Sequence, residues 1–136
     1  MKPKEMIYKT GRTVELLYND IYKNYHYYIL SLGTHPTAYV ELTKNHKYFN
    51  KDYMDIDEIE CHGGLTYSNS KLKIGINRIM EGNWFIGWDY AHYDDYSGYN
   101  IKYNLIIYDN GKKWSTKEII EECKNVIDQL ERINNV

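Results

Sequence analysis

Four side chains in two short stretches have the types and spacing to do chemistry together. His62 lies in Cys61-His62-Gly63-Gly64-Leu65-Thr66-Tyr67-Ser68, and Asp89, His92 and Asp95 lie in Gly87-Trp88-Asp89-Tyr90-Ala91-His92-Tyr93-Asp94-Asp95. The last three follow one another at i, i+3 and i+6 where an apolar run ends, the kind of place where a rigid scaffold presents polar groups. Imidazole and carboxylate ligands suit zinc, and mixed oxygen–nitrogen sites also suit manganese, magnesium or iron. His62, Asp89, His92 and Asp95 would then form a two-His, two-carboxylate set with a position left open for water. Without a metal, a histidine beside a carboxylate serves as a general base, so His62, Asp89 and His92 are the candidate catalytic residues. The competing reading is local: an Asp near a strand end satisfies loop amides, and a nearby His hydrogen-bonds it.

A second chemistry uses neighbouring residues. The Gly63-Gly64 pair admits backbone conformations and close approaches that side chains block, and amides there can form an anion-binding nest. A β-bulge or tight turn explains the same pair without a ligand. Trp88, Tyr90 and Tyr93 offer aromatic faces on which a flat base would stack. Arg78, one of three arginines, is suited to bidentate pairing with phosphate. The expected ligand-binding set is thus His62, Gly63, Gly64, Thr66, Arg78, Trp88, Tyr90 and Tyr93. Core filling is the alternative for the tryptophan.

The elements that must position these residues are partly legible. Val14, Leu17, Tyr18 and Ile21 follow helical spacing, predicting a short amphipathic helix over about 13–22. Tyr25–Leu32 and Thr37–Leu42 read as strands joined through Gly33-Thr34-His35-Pro36. From Thr43 to Glu60 an acidic stretch reads as a short surface helix or loop, and it lacks the ordering of a calcium loop. Gly64–Ser68 reads as a short strand, Asn69–Glu81 as an irregular excursion, and Trp84–Tyr90 as a central strand. Ile101–Tyr108 reads as a further strand, followed by a turn at Asp109–Lys112. Ser115-Thr116-Lys117-Glu118 fits a capping box, and Ile119, Cys123, Val126, Ile127, Leu130 and Ile133 form one stripe of a helix over about 116–133. The expectation is a single α+β domain over 1–136, with a mostly antiparallel sheet of about five strands and an N-terminal and a long C-terminal helix packed on it.

Composition sets the outer bounds. Hydrophobic residues at 43% and charged residues at 26% fit a folded globular chain rather than a disordered one. A net charge of −2 argues against a dedicated double-stranded DNA binder, which carries a concentrated basic face. No apolar run approaches the roughly 20 residues of a membrane helix, and cytoplasm is the expected location. Cys61 and Cys123 are far apart and read as free thiols. Sixteen tyrosines against two phenylalanines suit half-buried sheet positions and ligand pockets alike.

Together, Gly33-Thr34-His35-Pro36-Thr37-Ala38-Tyr39, the Cys61–Ser68 stretch, Trp84–His92 through Asp95 and Glu121-Glu122-Cys123 resemble a family of small phage and prophage proteins carrying HGGLTYS and GWDxAHxxD-type motifs. The resemblance spans most of the chain from about Ile29 and supplies a setting, not a mechanism: a virus-type accessory protein acting in the host cytoplasm. By analogy, such proteins counter host defence. The leading expectation is sequestration of a nucleotide-derived small molecule, with pockets built between copies in a homo-oligomer. The alternatives are metal-dependent hydrolysis of a phosphoester or nucleotide signal, and inhibition of a host defence component by direct binding through an aromatic surface.

Overall fold

The computed structural model describes residues 1–98 and 111–135. Among these residues five strands form one antiparallel sheet: β1 (Glu15–Tyr22), β2 (Tyr25–Ser31), β3 (Pro36–Leu42), β4 (Tyr67–Gly75) and β5 (Arg78–Asp89), in the order β1-β2-β3-β5-β4. Helix α1 (Thr116–Asn134) packs on one face. The α+β class expected from the sequence holds. The strand expected at Ile101–Tyr108 and the first half of the turn after it lie outside the described residues.

The N-terminal helix is the main correction, because those residues form β1. A bulge between Leu16 and Tyr18 breaks the strand's two-residue alternation. It leaves the consecutive Leu17 and Tyr18 both on the helix-side core, while Val14 and Leu16 face the opposite side. The resulting i, i+3, i+4, i+7 pattern imitates a helix, yet Ile21 is 62% exposed. β1 turns into β2 through Lys23 and Asn24, both at positive φ (50° and 69°), as a two-residue mirror-image turn requires. The stretch 69–81 also becomes sheet, since β4 and β5 form a hairpin across Ile76-Asn77.

Alternation then builds two cores. Tyr27, Ile29, Ala38, Val40, Ile86 and Trp88 face α1 and meet Ile119, Cys123, Val126, Ile127 and Leu130. Tyr28, Leu30, Tyr39, Leu72, Ile74 and Phe85 pack on the other face. That second core requires curvature, and the edge strands β1 and β4 come into contact. The sheet is curled, with a mouth where β2 and β5 end and β3 and β4 begin. α1 starts with the expected capping box, Ser115 Oγ accepting from the Glu118 amide at 3.1 Å and Glu118 Oε1 from the Ser115 amide at 3.0 Å.

The connection from β3 to β4 runs along α1 and is pinned to it. The His46 ring spans Leu130 O (Nε2, 3.2 Å) and the Tyr48 amide (Nδ1, 3.0 Å), so Nδ1 accepts and the proton sits on Nε2. Burial lowers the His46 pKa, and a proton on Nδ1 would also displace the Tyr48 bond; His35 is lowered chiefly by burial as well. Below about pH 6.5 the unfolded chain therefore binds more protons than the folded one, which makes stability fall as pH falls. Urea unfolding is expected to give a lower free energy at pH 5.5 than at pH 7.5, with a smaller difference in His46→Gln. Identical values for the wild type at both pH values would refute this assignment.

Candidate metal centre

His62, His92 and Asp95 come together, although 33 residues separate the first from the last. One ligand-type atom from each lies within 4.8 Å of the others. Asp95 is the hub, with only 2% of its side chain exposed. His62 Nε2 stands 2.8 and 3.0 Å from its two oxygens, the His92 amide donates to Oδ2 at 2.9 Å, and Trp114 Nε1 donates to Oδ1 at 2.9 Å. Burial alone would raise the Asp95 pKa. The bonds from His62, the His92 amide and Trp114 outweigh it and hold the carboxyl below its usual range.

The His62 ring is fixed on both sides. Tyr90 stacks on it at 4.7 Å and 10°, and Trp114 meets it edgewise at 4.9 Å. Its backbone is held by α1: the His62 amide donates to Glu122 Oε1 at 2.9 Å, while Glu60 and Gln129 exchange two hydrogen bonds. Glu122 and Gln129 are two turns apart on one helix face, so residues 60–62 are clamped along the helix. Neither Trp114 nor Glu122 carried a sequence signal for this role, because each is remote from the residue it supports.

His92 lies over Gly63. A Cβ added to Gly63 would sit 1.9 Å from His92 Nε2, and Gly63 is at φ +70°. That nitrogen is buried and has no hydrogen-bond partner among the described residues, its nearest acid being Asp89 Oδ1 at 3.5 Å. An unsatisfied buried ring nitrogen is costly, and a metal is one way to satisfy it. A tetrahedral ion with ligands at about 2.0–2.1 Å spaces them roughly 3.3 Å apart, so His62 and Asp95 would open by a few tenths of an ångström to admit one, and separations of up to 4.8 Å elsewhere in the cluster would close onto it. Asp89 is adjacent rather than within the cluster; it accepts from Thr66 Oγ1 at 3.0 Å and the Ala91 amide at 3.1 Å.

No protein-family model, curated protein or solved structure matches this chain.

Other expected ligand contacts are placed differently. Trp88 is 1% exposed and donates to Tyr90 Oη at 3.1 Å, so it fills the core instead of presenting a face to a base. Tyr90 is buried too, its ring taken by His62. Tyr93 is 88% exposed, and Arg78 sits at the opposite end of β5, about 35 Å of strand from Asp89. Gly64, at φ +81°, has no described residue within 4 Å of where a Cβ would stand. Cys61 offers no thiolate, because burial and then Glu122 push its thiol up to about 12.

Proposed function

We propose that the protein binds one divalent metal ion through His62, His92 and Asp95 and uses it to hydrolyse a phosphoester or nucleotide signal. The observation that carries this reading is the convergence of three ligand atoms within 4.8 Å around a buried carboxylate. Two imidazoles and one carboxylate leave room on a zinc or manganese ion for water, which such an ion ionises near neutral pH. Trp114, donating to Asp95, has the place of an outer partner that orients a ligand. The setting proposed is that of a phage accessory protein acting in the host cytoplasm.

Native mass spectrometry of protein purified without chelator is expected to show one divalent ion per chain, removed by EDTA. Hydrolysis of bis(p-nitrophenyl) phosphate should disappear with the ion and return with zinc or manganese. A bare chain in the presence of excess zinc, manganese or magnesium would overturn the reading. Sequestration without turnover is the second reading. Burial of Trp88 and Tyr90 removes its stacking platform beside His62, but a separate cavity favours a bound small molecule elsewhere.

A further inference from the structure

That cavity opens at the mouth of the curled sheet and has a volume of about 370 Å³, within the range of small-molecule sites. Its walls come from Arg12 and Val14 ahead of β1, the ends of β2 and β5, the start of β3, and Tyr67, Leu72 and Lys73 along β4. A second cavity of similar volume adjoins it and shares Arg12, Val14, Leu32 and Lys73. The two form one groove across the face of the sheet that α1 does not cover.

The groove has an organised chemistry. Arg12 and Lys73 line both cavities, each as an exposed residue on the rim, Lys73 standing between the buried Leu72 and Ile74, and neither forms an ion pair among the described residues. Arg12 is held in place by its neighbours: the Thr13 amide donates to Leu32 O at 3.1 Å. Gly33, at φ +89°, makes room for this segment, since a Cβ there would lie 2.3 Å from Gly11 O. In the floor, Thr37 is 3% exposed and its hydroxyl has no hydrogen-bond partner among the described residues. The nearby Tyr39 phenol is pushed up to about 12 by burial, with Thr37 pulling the other way, but no bond of normal geometry joins the two hydroxyls. His35 is buried with Nδ1 bonded to Thr34 Oγ1 at 2.8 Å, and Asp89 with Thr66 closes the far wall. A buried hydroxyl without a partner costs stability unless something supplies one.

We propose that this mouth binds a small phosphorylated molecule, its phosphate held between Arg12 and Lys73 and its polar body against Thr37, His35 and Asp89. Two unpaired cations at one end match a dianion, and guanidinium pairs with phosphate bidentately. The Asp89 carboxylate at the other end accepts from a ligand hydroxyl or amine and repels a second anionic group. The site is separate from the metal cluster and does not depend on it, although Asp89, 3.5 Å from His92, forms the wall between them.

The test is calorimetric titration of the full chain in EDTA with inorganic phosphate, pyrophosphate and adenosine monophosphate. At least one probe is expected to bind, more weakly as salt rises, and Arg12→Ala is expected to weaken it tenfold or more. Thr37→Val should weaken it as well, while leaving the melting temperature of the free protein unchanged or higher. His62→Ala, which alters the metal cluster without touching a wall of the mouth, should bind the probe like the wild type. No binding by any of the three probes, or equal binding by Arg12→Ala, would overturn the proposal. Loss of binding in His62→Ala would move the ligand to the metal cluster and overturn the placement. Failure of the metal reading would show instead as a bare chain by mass spectrometry with these titrations unaffected.

Discussion

Replacing Asp95 with alanine is expected to lower the unfolding free energy by about 3–5 kcal/mol, since leaving a donor without its acceptor costs about 1–3 kcal/mol and three donors share this carboxylate. The carboxylate serves three donors, His62 Nε2, the His92 amide and Trp114 Nε1, and its removal takes the shared acceptor from all of them. The pH dependence follows with a definite sign. The folded pKa lies below the unfolded one, so the Asp95 contribution is complete above about pH 4 and is lost as pH falls through the folded value. Denaturant unfolding of both proteins should show a gap that is widest near neutral pH and narrows in acid. A loss under about 1 kcal/mol at pH 7 would mean that the three donors find other partners, and that Asp95 is no hub.

The same residue shows how unevenly the sequence reported its structure. His62, His92 and Asp95 were legible because imidazoles and carboxylates near glycines and a strand end are scarce enough to notice. Their support was not: Trp114 and Glu122 act across 19 and 60 residues, and long-range pairing leaves no local spacing to read. The fold divides along a similar line. α1 declared itself through a capping box and an unbroken apolar stripe, both local features. β1 did not, since its bulge erased alternation and its turn uses Lys23-Asn24 where Asn-Gly would have announced a hairpin. In β4 the signal was present and passed over: Lys71, Leu72, Lys73 and Ile74 alternate, with Leu72 and Ile74 buried. The aromatic residues misled for a different reason. Trp88 and Tyr90 have the composition of a ligand platform, and only packing reveals that their faces are already occupied.

His92 and Gly63 give the sharpest test of the metal centre, because backbone strain and cluster geometry can be separated. His92→Ala removes a ligand and is expected to weaken zinc binding by about 100-fold or more, beyond the roughly 10–100-fold typical of losing an outer partner. Gly63→Ala should do nearly the same without touching a ligand, since its new methyl group would lie 1.9 Å from His92 Nε2 and must push the ring away. Gly64→Ala is the control. It shares the positive φ, and so a backbone cost of about 1–2 kcal/mol, but meets none of the described residues within 4 Å. Melting temperatures should therefore drop in both glycine variants, whereas zinc affinity by competition titration should collapse only in Gly63→Ala. Equal zinc affinity in the two would mean that His92 does not hold the ion. The orphaned nitrogen above Gly63 would then be a packing compromise at the end of β5, and His62–Asp95 a structural ion pair.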